Sequence, residues 1–382
     1  MLANRMKNLC PYVPGEQPSD REYIKLNANE NPFPPSPKVK DALLKAVQEE
    51  FPRLSRYTDP DSSELRNAIA SLLNATGGVL CRATVNGTLV FPEKKDALPF
   101  EITPDMIHVG NGSDEVLSHV FYAFFDDDRP LISPEYSYSF YPVYSGYYGI
   151  PLKKIPLKND WSLDVESMIF EANKNHSATI IANPNAPTAL TVSRQTLREW
   201  ISRVPGDKPF VVDEAYCDFG GESALSLLSE FPNLAVVRTF SKSLCGAGIR
   251  LGFVVASKEL IEAVKTAKNS FNHFPVDFLA SVSGIAACSD CAYYVGIAKE
   301  ICRVRDDFSD FLKSKGWSVL DSRTNFIFAK KEHLSGLEAY KKIKADGILV
   351  RHFDSAGIED FIRISVGTKE QMEILKKTMA EM

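Results

Sequence analysis

The chain has 382 residues, more than one hydrophobic core usually organises, so two domains, or a large domain with an attached lobe, are expected. Hydrophobic residues make up 44% and charged residues 24%, and no segment approaches the roughly eighteen consecutive apolar residues of a membrane span, which argues against a membrane protein. A net charge of −5 with no long run of one sign speaks against a nucleic-acid footprint or a membrane-surface patch, and leaves a small-molecule ligand as the expectation.

In chain order, the first ten residues lack the apolar core of a signal peptide, and seven cysteines form no dense framework, so a reducing cytoplasm is expected. The proline-rich residues 31–37 separate an extended N-terminal arm from a helix predicted over 37–50. Residues 77–104 read as an excursion. Its alternating segments 79–85 and 88–91, joined by Asn86-Gly87, have the pattern of a β-hairpin. The sequon Asn86-Gly87-Thr88 within it carries no meaning in a cytoplasmic protein.

Short apolar runs at 106–109, 130–133, 178–182, 210–213, 235–238 and 251–256 then alternate with helical patterns, the rhythm of an α/β domain around a largely parallel sheet. After about residue 280 the pattern changes. A long amphipathic stretch, 298–315, precedes predicted strands at 317–320, 325–329, 348–353 and 361–366, which suit a smaller α+β lobe. The division expected is a large domain over 52–275, with 1–51 and 276–382 forming the arm and the small domain. Cys288 and Cys291 form one Cys-x-x-Cys; without a second pair or a nearby histidine motif they read as free thiols on a helix, and no metal is expected.

Three segments carry chemistry. Val109-Gly110-Asn111-Gly112-Ser113-Asp114-Glu115 joins a strand to a helix over 115–124, and backbone N–H groups at a helix start, with the helix dipole behind them, bind an anion such as a phosphate. In Val211-Val212-Asp213-Glu214-Ala215-Tyr216 a buried strand delivers an acid at its C-terminal end and a tyrosine three residues later. An aspartate so placed can keep the ring nitrogen of pyridoxal phosphate protonated, and Tyr216 can then reach the ring's phenolic oxygen. The alternative, a Walker-B-like metal site, lacks its companion Gly-x-x-x-x-Gly-Lys-Ser/Thr loop. Finally, Thr239-Phe240-Ser241-Lys242 puts a lysine just past a strand end, where ligands bind in an open α/β sheet and where a half-buried amine becomes a nucleophile. Ser241, Arg250 and the glycine-containing connector between them suggest a lysine held near a phosphate.

Taken together, these residues resemble the class I/II aminotransferases of fold type I, and within them the histidinol-phosphate branch. Leu26-Asn27-Ala28-Asn29-Glu30-Asn31-Pro32, Arg56-Tyr57-Thr58-Asp59, the segments 110–115 and 138–141, Asn183-Pro184-Asn185-Ala186-Pro187-Thr188, and the segments 213–216 and 241–250 follow in that family's order over nearly the whole chain. The resemblance implies a large domain with a mainly parallel seven-stranded sheet, a small α+β C-terminal domain, an N-terminal arm and bound pyridoxal 5′-phosphate. It implies Lys242 as the lysine that carries the cofactor, Asp213 facing the pyridine nitrogen, Tyr216 on the ring oxygen and Tyr138 stacked on the ring. Gly112, Ser113, Asp114, Ser241 and Arg250 would hold the cofactor phosphate, with Tyr57 reaching over from the neighbouring subunit of a homodimer with shared active sites. Asn185 is carried over as a ring contact, although Ala186 occupies the place where the family has the asparagine that touches the ring oxygen.

For the substrate, Arg351 and Arg363 lie on predicted apolar strands, where a guanidinium needs an anionic partner. That partner is either a nearby acid (Asp354, Glu359 or Asp360) or a substrate phosphate, and with Asn29 the pair is the expected substrate contact. The implied reaction is transamination of L-histidinol phosphate with 2-oxoglutarate. An aromatic amino-acid aminotransferase, a threonine-phosphate decarboxylase or a carbon–sulfur lyase shares the scaffold, and fold alone does not separate them.

Overall fold

The computed structural model describes residues 2–3, 6–7, 9–83, 88–92 and 97–382. In chain order it contains strand β1 (Ile24–Lys25), helices α1 (Pro37–Glu49) and α2 (Ser63–Thr76), and strands β2 (Arg82–Ala83), β3 (Leu89–Val90) and β4 (Ile107–Asn111). There follow α3 (Gly112–Phe124), β5 (Leu131–Pro134), α4 (Tyr141–Tyr148), β6 (Leu152–Ile155), α5 (Val165–Asn175), β7 (Thr179–Ala182), α6 (Arg194–Ile201), β8 (Phe210–Asp213), β9 (Leu234–Thr239) and β10 (Leu251–Ala256). The C-terminal part comprises α7 (Lys258–Phe271), α8 (Phe278–Cys288), α9 (Cys291–Ser314), β11 (Trp317–Val319), β12 (Phe326–Lys331), α10 (Gly336–Ala345), β13 (Ile348–Leu349), β14 (Arg351–His352), β15 (Ile362–Ser365) and α11 (Lys369–Ala380).

A seven-stranded sheet in the order β4-β10-β9-β8-β7-β5-β6 forms the centre. All its neighbouring pairs are parallel except those of β10, which runs antiparallel to β4 and β9. The reason lies in the connection 240–250: it carries no helix, and a parallel return needs a crossover of about a dozen residues or more. Successive strand residues feed opposite faces. Val211 and Val237 pack under α3, α4 and α7, whereas Val212 and Val236 pack against α2, α5 and α6. This double burial is why these strands read as continuous apolar runs. Strand β6 lacks that signature, because it is an edge strand with Lys153 and Lys154 exposed, and the sequence does not reveal it.

A second sheet, β11-β12-β15-β14, is antiparallel throughout. The single strand expected over 348–353 divides at Val350: β13 pairs in parallel with β1 of the N-terminal arm, and β14 pairs with β15. Helix α9 begins at Cys291, earlier than expected, and Cys288 and Cys291 end and begin consecutive helices without a disulfide. Strands β2 and β3 pair antiparallel, while the expected turn Asn86-Gly87 lies outside the described residues. Among the described residues no single helix is long and apolar enough to cross a membrane, and no group of side chains could hold a metal ion.

Candidate active site

The carboxyl ends of β4, β7, β8 and β9 and the start of β10 converge on one place, the edge where the chain leaves the sheet for α3 and for the connection 240–250. A cavity of about 260 Å³ opens there, lined by Ser113, Asp114, Asp213, Tyr216, Lys242 and Arg250 among others. It shares Asp114, Tyr138, Tyr216 and Lys242 with the wall of a second cavity of about 510 Å³. Arg351, Arg363 and Asn29 line the larger one.

Lys242 stands at the junction. Its Nζ donates to the Ala28 carbonyl at 3.3 Å and lies 5.7 Å from the centre of the Tyr216 ring. Burial lowers the amine's pKa to about 8, the nearby Arg363 guanidinium adding to the effect. At the end of β8, buried Asp213 accepts hydrogen bonds from the Tyr141 hydroxyl at 3.0 Å and the Ala215 N–H at 3.1 Å. Even so, burial raises its pKa to about 6. A carboxylate so desolvated gains from a cation placed opposite it, which suits the nitrogen of a protonated heterocycle.

The other end of the smaller cavity suits a phosphate. Helix α3 begins at Gly112 (φ 79°), where an added Cβ would lie 2.5 Å from Arg250 Nη2, so glycine keeps open the space between the helix start and the guanidinium. Arg250 itself has a left-handed backbone (φ 59°), a conformation that costs a non-glycine residue energy and is found at ligand clamps. Its guanidinium lies 3.6 Å from the Asp114 carboxylate. That carboxylate also accepts from the Tyr138 hydroxyl at 2.7 Å and so orients the ring lining both cavities. Ser241 is buried at the same wall.

Asn29 links the two sheets. With φ 53° it adopts the left-handed conformation that asparagine tolerates better than most residues. Its Nδ2 donates to the Tyr216 hydroxyl at 3.0 Å, its backbone N–H donates to Ser365 Oγ at 2.7 Å, and its carbonyl accepts from Asn325 at 3.0 Å.

On the far wall, Arg351 and Arg363 are cross-strand neighbours in β14 and β15. Arg351 donates to the Val13 carbonyl at 3.3 Å and Arg363 to the Asn27 carbonyl at 3.3 Å, while the buried Arg363 Nε has no hydrogen-bond partner. Among the described residues neither guanidinium pairs with a carboxylate. Asp354 lies 3.4 Å from His352 instead.

Two expected residues stand apart. Asn185, expected as a ring contact, lines neither cavity, and its amide meets the Ser137 hydroxyl at 2.9 Å, the Tyr136 carbonyl at 2.8 Å and the Thr188 hydroxyl at 3.0 Å. Ala186, one residue on, faces both cavities. Tyr57 is 84% exposed, stacked 4.5 Å from Phe274, and contributes nothing to the site of its own chain. Conversely, Tyr12, Tyr136 and Tyr141 line the larger cavity without having been singled out from the sequence. The dense run of aromatic residues following β5 is a sequence signal for the last two, and Tyr141 also closes the segment 138–141 that carries the family resemblance.

A family model described as aminotransferase class I and II matches residues 21–378. The chain is 43% identical over 373 residues to the histidinol-phosphate aminotransferase of Syntrophus aciditrophicus (strain SB), covering 97% of this chain and 95% of the relative. It is 40% identical over 374 residues to the histidinol-phosphate aminotransferase of Acinetobacter baylyi, covering 98% and 95%. Among solved structures it is similar to the histidinol-phosphate aminotransferase from Sinorhizobium meliloti in complex with pyridoxal-5′-phosphate, with a TM-score of 0.83, 23% identity, and coverage of 100% of this chain and 96% of that one. It is also similar to an aspartate aminotransferase mutant of Thermus thermophilus, with a TM-score of 0.80, 18% identity, and coverage of 100% and 99%.

Proposed function

The chain belongs to the class I and II aminotransferases, and on that premise we propose that it transfers the amino group of L-histidinol phosphate to 2-oxoglutarate, a step of histidine biosynthesis, with pyridoxal 5′-phosphate as cofactor. The observation that carries the substrate is the pair Arg351 and Arg363, two guanidinium groups facing the cavity beyond Lys242 without a carboxylate partner among the described residues. Two forks of donors on one wall suit a phosphate, whereas an α-carboxylate alone needs one. The names of the relatives at 40% and 43% identity support the same donor.

The cofactor supplies an aldehyde that takes up the amine and a protonated ring that draws electrons from the substrate α-carbon. Asp213, its direction fixed by the Tyr141 and Ala215 hydrogen bonds, would face the ring nitrogen and favour its protonated form. Tyr216, whose oxygen accepts from Asn29, would be free to donate its own proton to the ring oxygen. Tyr138 would line the ring. Ser241, Arg250 and the backbone N–H groups of Ser113 and Asp114 would hold the phosphate, with Gly112 keeping the cradle open. Lys242 would carry the cofactor and serve as the base toward the substrate α-carbon; a depressed amine pKa suits a base near neutral pH. Asn29, tied to both sheets, borders the substrate.

The working unit in this reading is a homodimer in which Tyr57 of the partner subunit reaches the cofactor phosphate. Free thiols at all seven cysteines support the cytoplasm as its place of work.

A panel of amino donors with 2-oxoglutarate tests the proposal. L-Histidinol phosphate should be the best donor and L-histidinol much poorer; a preference for free aromatic amino acids moves the chain to the aromatic aminotransferases.

A further inference from the structure

We propose that Tyr136 is a positioning residue, whose hydroxyl holds the arginine-bearing hairpin in place over the substrate cavity. Tyr136 lies in the loop after β5, two residues before Tyr138, and lines the larger cavity. Its hydroxyl donates to the Ala356 carbonyl at 2.6 Å. Ala356 belongs to the turn that joins β14 to β15, the two strands carrying Arg351 and Arg363. One hydrogen bond thus ties the tip of that hairpin to the loop on the Lys242 side of the cavity.

The turn is shaped around this tyrosine. Gly357 has φ +89°, and a Cβ there would lie 2.3 Å from the Tyr136 hydroxyl. Glycine suits the backbone conformation, and a Cβ there would push the Tyr136 hydroxyl aside. From the opposite side Tyr136 is held by Asn185, whose Nδ2 donates to its backbone carbonyl, while Ser137 donates to the Asn185 Oδ1. Asn185 therefore serves the loop that carries Tyr136 and Tyr138. Trp161 lies 6.1 Å from the Tyr136 ring and 4.9 Å from the Phe361 ring, so an aromatic contact runs beside the hydrogen bond.

Without the hydroxyl, the Ala356 carbonyl turns to water and the fold persists, since the turn is exposed. What changes is the placement of the arginine pair relative to Lys242. The effect should fall on binding of donors whose anion the pair takes, and leave the proton transfer at Lys242 alone.

This inference rests on the arginine pair being the grip for the substrate phosphate. Tyr136→Phe removes only the hydroxyl. It should raise KM for L-histidinol phosphate about two- to tenfold, the worth of one neutral hydrogen bond, with kcat, cofactor absorbance and the kinetics of L-histidinol, which carries no anion, unchanged. Gly357→Ala should raise the same KM, and the double variant should be no worse than the poorer single variant, because both break one contact. A parental KM in Tyr136→Phe, additive losses in the double variant, or equal losses on both donors with a lowered Tm would each overturn the inference. If the parent enzyme itself shows no preference for the phosphorylated donor, the phosphate-grip reading fails first and the inference falls with it; the parent's donor panel distinguishes that failure from the others.

Discussion

Arg351 and Arg363 stand directly opposite each other across the antiparallel ladder of β14 and β15, on one wall of the substrate cavity. Like charges in that relation repel, and no acid among the described residues offsets them. Sequence-adjacent acids were the alternative partners, but Asp354 goes to His352, and Glu359 offers His352 its backbone carbonyl at 2.9 Å.

Arg351→Ala should therefore lower kcat/KM for L-histidinol phosphate by about tenfold to a hundredfold, the range for hydrogen bonds to a charged group, and lower it much less for a free aromatic amino acid. Steady-state kinetics on the two donors measure this. Equal loss on both removes the phosphate assignment.

Lys242→Ala should abolish turnover, with a drop of at least about 10²- to 10⁴-fold expected from the general acid–base role alone. It should also abolish the borohydride-trappable link to the cofactor. Reduction followed by peptide mapping reads the link directly, and label on another lysine would refute the role.

The Lys242 amine, lowered to about 8 by burial and then by Arg363, must be neutral to attack an aldehyde. In cofactor-free protein, the rate of capturing pyridoxal should rise with pH and level off above about pH 8. Arg363→Ala removes the larger of the two cationic causes, Arg363 and Arg250, that act beside burial, so its profile should move to higher pH. Stopped-flow absorbance records both curves, and coincident curves would show that Arg363 does not act on the lysine.

Asp213→Asn should retain cofactor and slow proton transfer on the order of a hundredfold, the equivalent of about two pKa units. Stability gives a second readout. Because the folded Asp213 pKa is raised to about 6 from 3.8, the folded state holds a proton in that window that the unfolded state has lost. Its contribution to the stability of the cofactor-free protein is therefore fully present below pH 3.8 and falls as pH rises to 6, by on the order of 3 kcal/mol. Relative to the parent, the cofactor-free Asn variant should gain Tm between those limits. A constant Tm difference across the window would be the contrary result.

Mixing Tyr57→Phe subunits with Lys242→Ala subunits should restore activity. In a shared-site dimer one site of each mixed pair carries both defects and the other neither. Strictly monomeric behaviour in sedimentation, or no recovery on mixing, would refute the shared site.

The sequence alone determined the fully buried strands and the strand ends at which polar residues interrupt them. Val211–Asp213 and Leu234–Thr239 are legible because strands buried on both faces must be apolar throughout, and Asp213, Lys242 and Gly112 are legible because they interrupt that pattern at strand ends. Edge strand β6 is illegible for the converse reason, since half its side chains face water and carry no apolar signal. Tertiary structure decided the contacts between distant segments. Asn29 meets Tyr216 and Ser365, and Tyr136 meets Ala356, where the two sheets come together, and Arg351 faces Arg363 through the register of one hairpin. It also gave the Asn185 amide its partners, the Tyr136 carbonyl and the Thr188 hydroxyl, and only the three-dimensional neighbours say which partners it finds. Local propensity acts over a turn or a strand; hydrogen bonds across hundreds of residues are set by which surfaces the folded core brings together.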